Sequence, residues 1–167
     1  FMLQDSGKLN IDDPVGKYIP DAPASWDGIA LRHLLSHTSG MGDNNPYMRG
    51  RYNEAFSPRQ LMDIIRDMPL DFKPGEKFQY SNAGFSVLGI VIETVSGQTY
   101  GDFLRDHVFT PLQMDATAYN PMSSTDQALG YDVGEDQPVP ADARNLSNTF
   151  SAGGIVSTTH DLLAWQQ

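Results

Sequence analysis

Two stretches of the chain place apolar side chains along one face of a 3.6-residue period. In the first, Leu61, Ile64, Ile65 and Met68 follow Ser57-Pro58-Arg59-Gln60, where Ser57 and Gln60 form a capping box and Pro58 takes the first helical position. In the second, Phe85, Leu88, Val91, Ile92 and Val95 follow Tyr80-Ser81-Asn82 and stop at Gly97, which suits the left-handed residue after a helix. Thr99 with Asp102 starts a third helix carrying Phe103, Leu104 and Val108 and closed by Pro111. Ile29, Leu31, Leu34 and Leu35 mark a short helix ended by Ser39-Gly40. Phe1-Met2-Leu3 reads as the last turn of an amphipathic helix with Gly7 at its C′ position, and Thr158 with Asp161 caps another before Leu162, Leu163 and Trp165. Ile11 to Pro20 is a Pro-punctuated loop, residues 40 to 56 form a polar surface loop, and Pro69 to Gly75 form a further one. Periodicity weakens from 115 to 156, where short extended pieces are expected at Thr117 to Tyr119, Leu129 to Val133 and Gly154 to Val156. No internal repeat is visible. The pattern predicts a single, mainly α domain over 1–167, with a few short strands and long loops. Phe1-Met2-Leu3 and Trp165 are too apolar for free tails, so both ends are expected to cut through helices of a larger protein.

Composition narrows the partners. The 167 residues suffice for one buried core. Lys+Arg 11 against Asp+Glu 21 gives a net charge of −10, a field that repels phosphate backbones and anionic headgroups, so no nucleic acid or membrane-surface partner is expected. No apolar run approaches the roughly 20 residues of a membrane span. With Cys 0, thiol nucleophiles, disulfides and thiolate metal sites are excluded from the chain.

Little classical chemistry remains. His33 and His37 are spaced so that both can face one ligand on a helix, but the Glu of H-E-x-x-H is replaced by Leu34-Leu35-Ser36, and His107 and His160 stand apart; capping or packing is expected of all four, with no metal and no cofactor. Asp12-Asp13, and Asp132 with Glu135 and Asp136, read as solvated surface. Gly40-Met41-Gly42 and Gly153-Gly154 lack the later Gly and Lys of a phosphate cradle. G-x-S-x-G is absent, and the residues three before Lys8, Lys17, Lys73 and Lys77 are Asp5, Pro14, Leu70 and Pro74, so S-x-x-K is absent too. A Lys-[Ser/Thr]-Gly triplet does not occur either. Tyr80-Ser81-Asn82 sets a phenol and a carboxamide two apart at a helix start, but Ser and Asn are also preferred N-caps and Tyr80 can serve as a half-buried anchor.

Several segments in order resemble one family. Leu31-Arg32-His33-Leu34-Leu35-Ser36-His37-Thr38-Ser39-Gly40 is similar to the LLxHTSG signature of the class C β-lactamase-related family of β-lactamases, DD-peptidases, esterases and D-aminopeptidases. Gly7 to Val15 resembles the stretch after that family's nucleophile helix, and Pro74 to Asn82 its PGxxxxYSN segment. Phe103 to Met114 resembles FL…PLGM with Gln113 in place of Gly, and Ala152 to Thr158 with Asp161-Leu162 resembles AGGLxST…DL.

The resemblance implies the helical domain of the serine β-lactamase/DD-peptidase-like fold, parted from an α/β domain that would be its partner in the parent chain. It implies a serine hydrolase forming an acyl-enzyme on a small amide or ester. Tyr80 is then the catalytic proton relay, Asn82 the substrate-binding carboxamide, and Ser81 a cap or backbone-geometry residue. The nucleophile is expected outside this chain, a few turns before Phe1, and the Lys/His-x-Gly strand beyond Gln167. Since a free tyrosine titrates near about 10, the relay needs neighbouring cations, and the chain alone is expected to be inactive. A non-catalytic binding module that keeps only the fold stays open as the alternative. Family members are commonly exported, so a periplasmic or secreted location is implied. Loops 41 to 56 and 115 to 150 are those on which substrate choice depends in the family; Tyr47, Arg49, Arg51 and Tyr52 can line a cleft there, although a solvated loop is the simpler reading.

Overall fold

A computed structural model describes residues 1–121, 127–134, 137–142 and 145–166. Helices α1 (Met2–Asp5), α2 (Leu31–Leu35), α3 (Asn45–Met48), α4 (Pro58–Arg66), α5 (Asn82–Ser96), α6 (Tyr100–Leu104) and α7 (Thr159–Trp165) are joined by long connections with short 3-10 turns. Strands β1 (Ala118–Tyr119) and β4 (Ile155–Val156) pair antiparallel, as do β2 (Tyr131–Val133) and β3 (Pro138–Pro140). Glu135 and Asp136 lie outside the described residues.

Local capping chemistry accounts for where the main helices begin. Ser57 Oγ accepts the Gln60 N–H while Gln60 Oε1 accepts the Ser57 N–H, closing the expected box at α4. Thr99 and Thr158 cap α6 and α7 by accepting from Asp102 and Asp161. Gly7 and Gly97 have φ of 71° and 73° and terminate α1 and α5 in the left-handed region.

Helix α5 is the axis of the molecule: α2, α4, α6 and the turn Phe150–Ala152 all pack on it. Its Ala83, Val87 and Val91 join Val15, Ile29, Leu34, Met62 and Ile65 in the main core. A second core gathers Met48, Phe56, Leu61, Tyr100 and Phe150. The predicted apolar stripe of α5 is divided: Val91 lies in the main core and Val95 packs against it. Phe85, Leu88 and Ile92 instead line an open cavity of about 290 Å³ together with Phe1, Leu3, Leu31 and Phe103. The helix is apolar around most of its circumference, as a centrally placed helix must be, and periodicity alone cannot tell its faces apart.

Three other expectations change. Residues 40 to 56 are not a purely solvated loop: they contain α3, and Met41, Asn44, Met48 and Phe56 are buried, the Phe56 N–H reaching Ser147 Oγ at 2.9 Å. The helix begun at Thr99 changes register after Leu104 into a π turn over Arg105–Phe109, where the Thr110 N–H reaches the Arg105 carbonyl at 2.9 Å. The short helix ends at Leu35 rather than at Ser39-Gly40, which puts His37 outside it with φ of 55°.

Two side chains report the packing. Asp161 is 3% exposed and accepts from the Thr117 hydroxyl and the Ala116 N–H, locking α7 to the turn before β1. Chiefly through the Thr117 bond, its carboxyl is held below the ordinary value of 3.8. Folding therefore favours the carboxylate, and this increment of stability is present above pH 3.8 and lost as pH falls through the lowered folded value. Asp161→Asn is expected to lower Tm at neutral pH, with the gap to wild type narrowing in acid; scanning calorimetry across pH 2.5 to 7 measures it. Gly89 lets the Phe150–Ala152 turn sit against α5, since a Cβ there would lie 2.1 Å from Ser151 Oγ and 2.6 Å from Phe150 Cε1. Gly89→Ala is expected to destabilise by about 1–3 kcal/mol in urea titration, despite alanine's better helix propensity.

Candidate active site at the start of the central helix

Two loops meet at the N-terminus of α5. The first runs through residues 36–44, the second through 70–80. They are zipped by backbone bonds: the Asp71 N–H to the Gly40 carbonyl at 2.8 Å, the Gly75 N–H to the Thr38 carbonyl at 2.7 Å, and the Gln79 N–H to the His37 carbonyl at 2.9 Å. Gly40 is required here, because its φ is 81° and a Cβ would sit 2.0 Å from the Phe72 carbonyl oxygen.

Ser81 is the N-cap of α5. Its hydroxyl accepts the Gly84 N–H and donates to the Gly42 carbonyl, both at 3.0 Å, and the residue is 1% exposed. With its proton committed to a carbonyl and no basic group accepting it, this hydroxyl is not arranged as a nucleophile. The flanking side chains differ. Tyr80 is 57% exposed, and its hydroxyl donates to Asn82 Oδ1 at 3.1 Å. Asn82 Nδ2 donates in turn to Asp43 Oδ1 at 3.2 Å. The carboxamide is thus oriented from both ends, with one amide hydrogen and one lone pair of Oδ1 in excess of these bonds. The hydrogen bonds of Tyr80 and Asn82 lead to the Asp43 carboxylate, and among the described residues no cation lies over the Tyr80 ring.

The two histidines of the signature serve the backbone. His33 Nδ1 accepts the Ala30 N–H at 3.1 Å, capping α2, and burial, aided by the Arg32 charge, holds its imidazole below the ordinary value of 6.5. His37 Nδ1 accepts the Ser81 N–H at 3.2 Å. Off α2, His37 does not form an i, i+4 pair with His33, and no group of His, Cys, Asp and Glu among the described residues is arranged to hold a metal ion. No helix is long and apolar enough to cross a membrane, again among the described residues. Lys73-Pro74-Gly75 spells Lys-x-Gly, but it lies in a turn closed by the Glu76 N–H on the Lys73 carbonyl at 3.0 Å, not on a strand. Arg51 pairs with Glu54 and lies over the Phe56 ring, while Tyr52 shares a small depression with Asp132. Asp43 and His37 join the site only in the folded chain. Their contacts to Asn82 and Ser81 span 39 and 44 residues, and no local pattern signals them.

Geometry and sequence now converge with what is known of other proteins. The family model described as Beta-lactamase matches residues 1–166, and the chain belongs to that family, whose members are serine hydrolases of the β-lactamase and penicillin-binding-protein type. Protein flp of Staphylococcus aureus (strain MW2) is 32% identical over 98% of this chain and 34% of its own length. The putative penicillin-binding protein PbpX of Bacillus subtilis (strain 168) is 30% identical over 100% of this chain and 41% of its own. The chain thus spans well under half the length of these curated relatives. The crystal structure of a D-stereospecific amidohydrolase from Streptomyces sp. superposes with a TM-score of 0.87 at 26% identity, covering 99% of this chain and 54% of the other.

Ser81→Ala removes the cap from Gly84 and leaves the Gly42 carbonyl without its donor inside the fold. A loss of about 1–2 kcal/mol in chemical denaturation is expected, with the secondary structure by circular dichroism unchanged.

Proposed function

We propose that this chain is the helical, cleft-forming domain of a serine hydrolase that cleaves amide or ester bonds through an acyl-enzyme. The observation that carries the reading is the Tyr80–Asn82 pair: an exposed phenol hydrogen-bonded at 3.1 Å to an oriented carboxamide, at the mouth of α5, in a family of serine hydrolases. Asn82 is assigned to the substrate amide or ester, for which its spare N–H and lone pair suit it. Tyr80 is assigned to proton relay between nucleophile and leaving group. The Streptomyces neighbour is described as an amidohydrolase, which supports the amide bond.

A phenol works as a relay near neutrality only if positive potential favours its deprotonated form. The N-terminal end of α5 supplies part of it. The cations, like the nucleophile, would come from an α/β domain beyond this chain, across the cleft. The unfilled apolar side of α5 supports such a partner: Phe1 and Met2 are 73% and 49% exposed beside Phe85, Leu88 and Ile92.

In the full-length enzyme Tyr80→Phe is expected to lower kcat by about 100- to 10,000-fold, with thermal stability near wild type. The 167-residue chain alone is expected to give no burst with nitrocefin or a p-nitrophenyl ester. A stoichiometric burst, with an acylated serine found by mass spectrometry, would overturn the assignment of the nucleophile to another domain.

A further inference from the structure

His37 touches each of the residues that lead into α5. Its carbonyl accepts the Gln79 N–H at 2.9 Å, its ring lies 4.6 Å from the Tyr80 ring at an interplanar angle of 35°, and its Nδ1 accepts the Ser81 N–H at 3.2 Å. Phe85, one turn into α5, stacks on the same imidazole at 4.9 Å and 25°, and the Phe78 ring meets it edge-on at 5.8 Å. The backbone of His37 takes φ of 55°, a region that histidine adopts more readily than most side chains and that here turns the ring back toward α5. Among the described residues His37 is the sole ring in contact with Tyr80, whose own side chain is otherwise largely in solvent. The Ser81 N–H belongs to a residue 1% exposed, so without Nδ1 it would lose its acceptor where water does not replace it. For Nδ1 to accept, the ring proton must reside on Nε2.

We propose that His37 is the positioning residue of Tyr80: one imidazole fixes the backbone on the C-terminal side of the tyrosine by accepting a hydrogen bond and its ring by a tilted face contact, and so sets where the phenolic oxygen stands in the cleft. The inference rests on Tyr80 being the proton relay. His37 does not touch substrate; it acts through Tyr80 and leaves the Asn82 carboxamide, which is oriented by Asp43 and Tyr80, to bind.

The test uses three variants of the full-length enzyme. His37→Phe keeps a ring and loses the acceptor. His37→Asn places an acceptor near the position of Nδ1, tolerates positive φ, and loses the ring. His37→Ala loses both. Displacement of a catalytic group by about 1 Å costs on the order of 100-fold, so His37→Ala is expected to lower kcat by about that factor at unchanged folded fraction, with KM within about twofold. Phe and Asn are expected to recover part of it each. Long-range 1H–15N spectra of the full-length enzyme should show the His37 ring proton on Nε2 with Nδ1 as acceptor. The inference is overturned by a ring protonated on Nδ1, by wild-type kcat in all three variants while Tyr80→Phe is impaired, or by losses that vanish once rates are normalised to folded protein. Full turnover in Tyr80→Phe would remove the relay reading itself, and this inference with it.

Discussion

The hydroxyl of Ser81 is the joint on which the arrangement at the head of α5 depends. It accepts from the helix it starts and donates to the Gly42 carbonyl of a loop 39 residues earlier, in a place with almost no solvent. A helix start needs an acceptor for its free N–H groups, and a buried loop carbonyl needs a donor. One hydroxyl meets both needs, which ties the direction of α5 to the position of the 36–44 loop. Tyr80 and Asn82 flank this fixed point. Because the residue between them is buried and pinned, their side chains are held against the surface next to Asp43 and His37 rather than ranging freely.

The central helix explains the rest of the architecture. Small residues Ala83, Gly84 and Gly89 let α2 and the Phe150–Ala152 turn come close on its crowded side, while the larger Phe85, Leu88 and Ile92 point to the open cavity. Tight packing of small side chains gives the core face a rigid fit, and the open side leaves Phe85, Leu88 and Ile92 only partly covered. The two halves of the helix surface have different tasks: one holds the loops of the site in register, and on the proposed reading the other receives the rest of the enzyme.

How much of this the sequence reveals follows from the range of each interaction. Caps at Ser57, Thr99 and Thr158, and the stops at Gly7 and Gly97, are local chemistry and are readable within four residues. Helix α3 is hidden because it is a single turn in a polar stretch, and Met48 and Phe56 become core only through residues such as Phe150 and Ser147, about 90 to 100 positions on. Strand β3 is bounded by Pro138 and Pro140, which argue against a strand, yet it pairs with β2 as a short exposed edge. Tyr80-Ser81-Asn82 is legible as a cap from its residue types; its reading as a site comes from the family resemblance, and the structure adds the hydrogen bonds from Tyr80 to Asn82 and from Asn82 to Asp43. His37 looks like half of an i, i+4 pair until the early end of α2 turns it away.

Electrostatics gives the proposed division of labour its physical sense. The chain carries a net charge of −10, and the charged group hydrogen-bonded into the Tyr80–Asn82 pair is a carboxylate. That carboxylate accepts from Asn82 Nδ2 and so holds the carboxamide in place, and it brings no positive charge to the pair. Lys77, near in sequence, is engaged over the Phe72 ring at 4.8 Å instead. On the proposed reading an acidic helical half and a cation-bearing half complement each other across the cleft, so that the proton relay acquires its reactivity only where the two surfaces meet. On that reading the 57% exposure of Tyr80 leaves its hydroxyl open to a facing surface that supplies those cations.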